Sequence, residues 1–308
     1  MKRVRGVALI TALLITAIAG SVAASLSWDN SLDVRRTTVM LYRDQAILVA
    51  VGSEGWVRTI LKEDELLSDT DHLDEIWATE IPALPIDSEA VQGQIWGVIS
   101  DLQGRFNINN LVANGEKDEP AFEQFERLLV ALELDPRLAG ATLDWLDSNQ
   151  EEEIPDGAED PIYTGLTPAY RTADRAISNI TELAAVDGMD QASFEILLPH
   201  VVALPGRTAI NVNTASVPVL QSLGPNISRS DAEGLVAERE GGGFLNYSES
   251  MQAYVDEQLQ PWIAETSNYF QLKAVVQIDT VRVSLFTVLH RNSSTGDVTP
   301  ILRSLGTI

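Results

Sequence analysis

The segment from 144 to 160 carries the densest set of possible oxygen ligands in the chain. Its acidic and amide side chains include Asp144, Asp147, Asn149, Glu151, Glu152, Glu153, Asp156, Glu159 and Asp160. Pro155 and Gly157 interrupt any helix there, so the segment can curl around an ion. Calcium takes about six to eight oxygen ligands from such a loop, and the alternation of Asp147, Asn149 and Glu151 provides a start. The residues are therefore compatible with a calcium site.

The acidic segment is also compatible with a plain solvated loop or with an enzyme site. Runs of Asp and Glu are usually solvated loops that hold no ion, and the pattern is not an EF-hand, because its sixth position lacks glycine and the spacing to a bidentate glutamate is wrong. Paired carboxylates can also hydrolyse glycosidic bonds. However, His72, His200 and His290 are widely separated, and the chain has no Gly-x-Ser-x-Gly, phosphate-loop or dinucleotide glycine pattern. We therefore predict that the protein is not an enzyme.

Composition narrows the class of protein further. The chain of 308 residues has no cysteine, which excludes disulfides, a thiol nucleophile and a cysteine zinc site. Its hydrophobic content of 45% is enough for sizeable cores. The formal charge of −24 repels phosphate backbones and anionic lipid headgroups and suits divalent cations or basic partner surfaces.

The first 28 residues predict a membrane anchor. Lys2, Arg3 and Arg5 form a positive flank, and residues 7–28 carry no charge. As a helix this stretch measures roughly 33 Å, enough to cross a hydrocarbon core of about 30 Å. A cleaved secretory signal is the alternative, since small residues around Ala23 would satisfy its cleavage rule.

Changes in hydrophobic periodicity predict the organisation of the rest of the chain. After a leader (1–6), we expect one long helix (7–62, with 7–28 in the membrane), a first β region (63–111), a helical insertion (112–265, with units at about 112–205 and 206–265) and closing β-strands (266–308). Within these ranges, 94–102 and 103–108 are expected to pair as strands, and Asn179–Leu204 to form a helical unit. A helical region thus interrupts a β framework.

Several segments in a fixed order resemble a known family. They are Asp101–Leu111 (DLQGRFNINNL), Asp144–Asp147 (DWLD), Gly157–Asp160 (GAED), Thr167–Arg171 (TPAYR) and Ile210–Ala215 (INVNTA). Together with the basic leader ending in glycine, they resemble the minor pseudopilin K family of the type II secretion system over most of the chain. The resemblance implies an α+β fold with a long N-terminal transmembrane helix, a pilin-like antiparallel sheet and a large inserted all-α domain, SAM-like or helix-hairpin-helix-like.

The same resemblance implies how the N-terminus is processed. Prepilin peptidase would cut between Gly6 and Val7, and the apolar helix would remain in the mature protein. Most pilin-like proteins have a glutamate at the fifth mature position, where this chain has Thr11. The K class also lacks that glutamate, in keeping with a place at the tip where no subunit lies above. Whether the new amino terminus at Val7 is methylated stays open.

Function, partners and metal follow from the resemblance as expectations. The chain would initiate or cap the pseudopilus with the I and J classes of minor pseudopilin, for export of folded proteins across the outer membrane, and the secreted proteins are further candidate partners. Residues 7–28 would lie in the inner membrane and the body in the periplasm. Family members bind calcium in the inserted domain. The candidate calcium ligands are Asp147, Asn149, Glu151, Asp156, Glu159 and Asp160, with Asp147, Glu159 and Asp160 ranked first.

A DNA-binding minor pilin of a competence or type IV pilus system is the alternative function. Residues 210–244 resemble the helix-hairpin-helix modules of competence-type DNA receptors. Those modules contact phosphates through a glycine-rich hairpin, but Leu223–Ser228 has a single glycine, and Pro225 removes an amide donor. Arg229 and Arg239 are the only basic residues between 210 and 261. We therefore predict no nucleic-acid partner.

Overall fold

The computed structural model describes residues 7–87 and 92–306. Helix α1 (Val7–Leu67) is continuous and, at about 1.5 Å per residue, roughly 90 Å long. Residues 7–37 are all exposed, whereas Ala46, Ala50, Val57 and Leu61 are completely buried. The first half of α1 therefore projects away from the body and the second half packs on it. The helix ends five residues later than the predicted 62.

Five antiparallel strands form the main sheet, and their order in the sheet is their order in the chain. They are β1 (Ile81–Asp87), β2 (Gln92–Asp101), β3 (Tyr269–Ile278), β4 (Val281–Arg291) and β5 (Val298–Leu305). The whole helical domain is inserted between β2 and β3. Residues 292–297 connect β4 to β5, as the sequence predicts.

The packing of α1 on the sheet shows where the inserted domain lies. Ala46 and Ala50 belong to the same core as Ile278 near the end of β3, whereas Leu61 packs with Phe270 near its start. Strand β2 ends at Asp101, which pairs with Phe270. The chain thus leaves the sheet beside the last turns of α1. The inserted domain is therefore attached at the end of the body farthest from the exposed apolar part of α1.

The inserted domain consists of short helices around one core. Its helices are α2 (Glu119–Ala131), α3 (Leu138–Leu146), α4 (Asp160–Tyr163), α5 (Gln191–Leu197), α6 (Val217–Ser222), α7 (Arg229–Glu238) and α8 (Tyr247–Ser250). Single 3-10 turns are Ile108–Leu111, Ile180–Ala185, Leu198–His200 and Gln260–Trp262, and another, Ile76–Ala78, precedes β1. The core extends from Phe106 to Ile263, so the two predicted helical units share it.

Three pairs of two-residue strands lie in this domain, and two of them join segments that are distant in the chain. Phe106–Asn107 pairs in parallel with Val201–Val202, Ile210–Asn211 pairs in parallel with Ile263–Ala264, and Val112–Ala113 pairs antiparallel with Glu116–Lys117. Side chains add to this backbone pairing. Phe106 stacks on Phe125 of α2 with ring centroids 5.3 Å apart. The inserted domain therefore starts before residue 112, the predicted boundary.

Three local predictions differ from the structure. Residues 103–108 do not pair with 94–102; instead β2 pairs with β1 and β3. The strand β1 is not predicted separately within 63–111, where Pro82 and Pro85 exclude only a continuous helix. An edge strand tolerates proline, and the register shifts between Ile81 and Leu84. The predicted helical unit from Asn179 to Leu204 is a 3-10 turn, the short α5, a second 3-10 turn and a two-residue strand.

Candidate metal centre and membrane anchor

Asp144 folds the acidic segment back onto helix α3. Its buried carboxylate accepts hydrogen bonds from the backbone amides of Glu153 at 3.1 and 3.2 Å and of Ala158 at 2.7 Å. Gly157 lies so close that a Cβ there would collide with this carboxylate and with the backbone of Glu153. Burial raises the pKa of Asp144 to about 6, despite these amide donors. The acidic segment is therefore anchored to the domain core at this point.

Glu159 is the buried acid of this loop that lacks a partner. It is 1% exposed, and neither carboxylate oxygen accepts a hydrogen bond from any residue in the described ranges. Burial, followed by the charges of Asp144, Asp147 and Asp174, raises the pKa of Glu159 to about 7. A buried carboxylate without a partner is costly and favours either a proton or a cation.

Asp147 follows the last residue of α3, and its charge acts on Glu159. It is 4% exposed, and its carboxylate accepts hydrogen bonds from the Asn149 amide nitrogen at 3.2 Å and side-chain nitrogen at 2.9 Å. Burial and the charge of Asp174 raise the pKa of Asp147. Asp174 is absent from the predicted ligands, because it lies beyond the acidic segment and its neighbours in the sequence form no ligand pattern. Its left-handed backbone (φ 49°) is visible in the structure alone.

These carboxylates have the donor chemistry of a divalent-cation site, although in the described residues they do not form a group of three with oxygens within 4.8 Å of one another. Asp147 and Glu159, with Asp174 nearby, offer hard oxygen donors, and Glu159 has both oxygens free of hydrogen bonds within the described ranges. Their raised pKa values follow from burial and mutual repulsion, both of which a bound cation would offset. Oxygen donors without nitrogen or sulfur suit calcium better than zinc.

The remaining predicted ligands have different surroundings. Asn149 and Glu151 are exposed, and the Asn149 side-chain oxygen accepts from the Glu151 backbone amide at 2.6 Å. Asp156 is half-buried. The Asp160 carboxylate accepts from the backbone amide and hydroxyl of Thr172 at 3.2 and 3.1 Å, and pairs with an exposed arginine, Arg171, at 3.0 Å. Among the three ligands ranked first, Asp147 and Glu159 are thus close enough for the charge of Asp147 to raise the pKa of Glu159. Asp160 instead binds Thr172 and Arg171.

A second acidic cluster joins α1 to the sheet, and it was not predicted. Carboxylate oxygens of Asp64, Asp71 and Glu75 lie within 4.8 Å of one another. Arg291, 1% exposed, places Nη1 3.1 Å from Asp64, Nη2 2.5 Å from Asp71 and Nε 2.9 Å from Glu65. Burial and the charges of Glu75 and Asp71 still raise the pKa of Asp64 to about 7. This cluster carries its own cation.

The apolar half of α1 has the properties of a membrane anchor. By length and composition it can cross a membrane, with a mean hydropathy of 2.3 over an 18-residue window that is 0% buried. Val7 is the first residue of the helix, and Gly6 lies outside the described residues. The Thr11 hydroxyl donates to the carbonyls of Val7 and Ala8 at 3.1 and 3.0 Å. The residue in the place of the usual glutamate is thus satisfied within its own helix.

Comparison with known proteins agrees with these features. Residues 104–206 and 210–258 match two models described as "Type II secretion system (T2SS), protein K". A relative from Pseudomonas aeruginosa, named Type II secretion system protein K, is 32% identical over 98% of this chain and 92% of its own length. The chain belongs to the type II secretion system protein K family. It is therefore a minor pseudopilin of the type II secretion system.

Further relatives cover the protein K fold from end to end. A protein of the same name from Klebsiella pneumoniae is 28% identical over 95% of this chain and 94% of its own length. In the crystal structure of the GspK-GspI-GspJ complex from enterotoxigenic Escherichia coli, one chain matches with a TM-score of 0.77 and 24% identity, covering 89% of this chain and all of that one. The predicted architecture, a long apolar N-terminal helix followed by mixed helix and sheet, is confirmed.

Membership of the protein K family disfavours the DNA-binding alternative. The structure gives a physical reason. Within the module at 210–244, Arg229 pairs with Glu233 at 2.9 Å, and the buried Arg239 donates to the Val212 carbonyl. The two basic residues are therefore engaged by their own chain rather than grouped on one surface. Asn211 is also internal, since its side chain donates to the Asp71 carbonyl at 3.0 Å.

Proposed function

We propose that the protein occupies the tip of the pseudopilus and starts or caps the filament together with minor pseudopilins of the I and J classes. The observation that carries this proposal is the placement of the inserted domain. It continues from Asp101 at the end of the body farthest from the membrane segment, beside Leu61. In a filament of parallel α1 helices, a further subunit above would have to occupy that space. The related GspK was solved together with GspI and GspJ, which supports the same partners here.

The N-terminus supports an end position as well. A carboxylate at the fifth mature position would neutralise the amino terminus of a neighbouring subunit, and Thr11 has no such charge. A subunit with no neighbour above it does not need that carboxylate. We propose cleavage by prepilin peptidase between Gly6 and Val7, retention of α1 in the inner membrane and a body in the periplasm.

Calcium is the structural ion that we propose for the inserted domain. Asp147 and Glu159 would hold it, with Asp174 close by, and Asn149, Glu151, Asp156 and Asp160 as further candidates. The bound ion would supply positive charge to carboxylates that their own chain leaves unpaired. Its role would be to hold the loop between α3 and α4 in shape.

The work of the protein in this proposal is assembly, not catalysis. Its three histidines have separate structural neighbours: His72 lies 3.6 Å from Glu75, His200 lies 2.8 Å from Ser216, and the ring of His290 packs against that of Tyr269 with centroids 4.8 Å apart. Secreted proteins remain candidate partners of the protein.

Copurification from membranes tests the tip proposal. Full-length tagged protein should retain I-class and J-class pseudopilins from the same cells, and mass spectrometry should find Val7 at its N-terminus. A variant with Gly6→Val should remain uncut. A mature start near Ser25 would contradict the cleavage proposal, and immunogold labelling along the whole length of overproduced filaments would contradict the tip position.

A further inference from the structure

Arg105 is a half-buried cation without a partner in the described residues. It is the one residue between Asp101 and Leu111 that is not fully buried, and its guanidinium forms no hydrogen bond or ion pair with any residue in 7–87 or 92–306. Burial lowers the pKa of this guanidinium, and the neighbouring charge of Asp101 offsets that effect only in part. None of its nitrogens is among the buried side-chain atoms that lack a partner, so its fork of donors stays accessible from the cavity that Arg105 lines.

Several enclosed arginines elsewhere in the chain do have acceptors. Arg291 binds carboxylates, Arg207 pairs with Asp118, and Arg239 donates to a backbone carbonyl. In a protein with a formal charge of −24, carboxylates are abundant, yet none lies within ion-pair distance of Arg105 in the described residues. The donors of Arg105 are therefore available to an acceptor that enters from outside the chain.

The space beside Arg105 can hold a small acid. The residue lines a cavity of about 270 Å³ where the sheet passes into the inserted domain. Its polar wall includes Ser100, Thr214 and Ser216, and its apolar wall includes Leu73, Trp77 and Ile99. This volume lies just below the range of sites for drug-sized ligands, so it suits a small carboxylate with a short apolar group.

Two neighbouring residues complete the description of the cavity. The His200 Nδ1 atom lies 2.8 Å from the Ser216 hydroxyl, and burial together with the charge of Arg105 lowers the pKa of His200. Asp101 also lines the cavity, but its carboxylate already accepts from the Thr214 and Ser267 hydroxyls and from the Gln103 amide. The unsatisfied charge at this place is therefore the positive one.

We propose that this cavity binds a carboxylate ligand, with Arg105 as the anion-binding residue and Ser216 and His200 beside it. The planar guanidinium fork matches a carboxylate in a bidentate manner, which an ammonium cannot do. The apolar wall accommodates a short aliphatic group on the same ligand. Two sources share this chemistry, the C-terminal residue of a peptide and a free short-chain acid. The site does not depend on the position of the protein in the pseudopilus.

Titration of His200 tests the site in the full-length protein in detergent. The chain has three histidines, so isotope-labelled imidazoles can be followed individually, and the signal lost in His200→Gln identifies His200. The probes are hexanoate and the peptide N-acetyl-Ala-Leu with a free carboxylate, with the amidated peptide as control. A bound anion offsets the charge of Arg105, so the pKa of His200 should rise with at least one free acid and stay unchanged with the amide.

Variants of the cavity make the test specific. Arg105→Gln should weaken binding of the effective probe at least about tenfold, because a charge-assisted pair is lost. Arg105→Lys should retain part of the affinity, and Ser216→Ala should reduce it even if the Arg105 variants fold poorly. Arg43→Gln, at an exposed position on α1, is the matched control and should bind as the parent does. Unchanged His200 titration with both acids, or equal binding by Arg105→Gln and the parent, would overturn the proposal.

Discussion

The two acidic clusters of this protein solve the same electrostatic problem in different ways. At the junction of α1 and the sheet, Asp64, Asp71 and Glu75 crowd together around a buried guanidinium, Arg291. In the loop between α3 and α4, Glu159 is equally buried but has no hydrogen-bond donor in the described chain. One cluster contains its cation and the other does not.

This difference indicates which cluster should depend on its surroundings. The Arg291 cluster joins residues of α1, the following loop and β4, and it should need no added ion. The Glu159 loop has raised pKa values without an internal counter-charge, so its stability should respond to added cations. The contribution of Arg291 can thus be tested by mutation, and the contribution of an added cation by changing the ion in the buffer.

The largest expected effect comes from removing the fixed cation. Arg291→Met should lower the free energy of unfolding by about 3–5 kcal/mol, because Asp71 and Asp64 would remain buried without their partner. Urea unfolding of the full-length protein, followed by tryptophan fluorescence, measures this change. Lys62→Met removes the exposed ion pair with Asp297 and should have little effect. A loss for Arg291→Met no larger than for Lys62→Met would refute the importance of this cluster.

The sequence predicts these two clusters unequally. Asp147 and Glu159 lie within one short acidic run, so the local sequence is enough to find them, and the long helix and closing strands follow from periodicity. Arg291 meets Asp71 across 220 positions, and that pairing requires the folded sheet. Asp174 and Arg105 are likewise ordinary in their local sequence. Their burial, backbone conformation or lack of partners becomes visible only once distant segments pack together.

Calcium gives the next largest effect. An ion that binds the folded state alone stabilises it by RT ln(1 + [L]/Kd), about 2.7 kcal/mol at a hundredfold excess over Kd. Millimolar calcium should therefore raise the melting temperature of the full-length protein, and a chelator should lower it. Magnesium should do much less, because it keeps its waters more strongly.

Variants then assign the calcium effect to the loop. Glu159→Gln or Asp147→Ala should abolish the response, whereas Asp64→Asn, in the cluster that has its own arginine, should leave it intact. Equal melting temperatures with calcium and with chelator in the parent protein would return the acidic segment to a loop without an ion.

The two clusters should also differ in how their contributions to the free energy of unfolding depend on pH. Asp64 has a pKa of about 7 in the folded chain against an ordinary 3.8, so between about pH 4 and 7 the folded state binds a proton that the unfolded state has released. The free energy of unfolding should therefore fall as the pH rises through this window, by no more than about 1.4 kcal/mol per pH unit. Asp64→Asn should remove that slope, as urea unfolding at several pH values would measure.

Glu159 should add a similar fall in the free energy of unfolding with rising pH, and calcium should remove it. Its pKa of about 7 also exceeds the ordinary 4.5, so the same sign applies without the ion. Saturating calcium binds the ionised form and should flatten this part, leaving the part due to Asp64. A slope that calcium leaves unchanged would mean that Glu159 does not meet the ion.

The smallest effect on calcium affinity should come from substitution of Asp160. This substitution tests whether Asp160 is a ligand of the ion. Its carboxylate is held by Thr172 and by the exposed Arg171, and Asp160→Asn keeps an oxygen that can accept from Thr172. Calcium affinity, measured by titration calorimetry, should therefore fall less than about fivefold, against at least about tenfold for Asp147→Asn. Equal losses for the two variants would place Asp160 among the ligands. In that case the loop would have to turn Asp160 away from Thr172 when the ion binds, and the contrast with the preformed Arg291 cluster would become sharper.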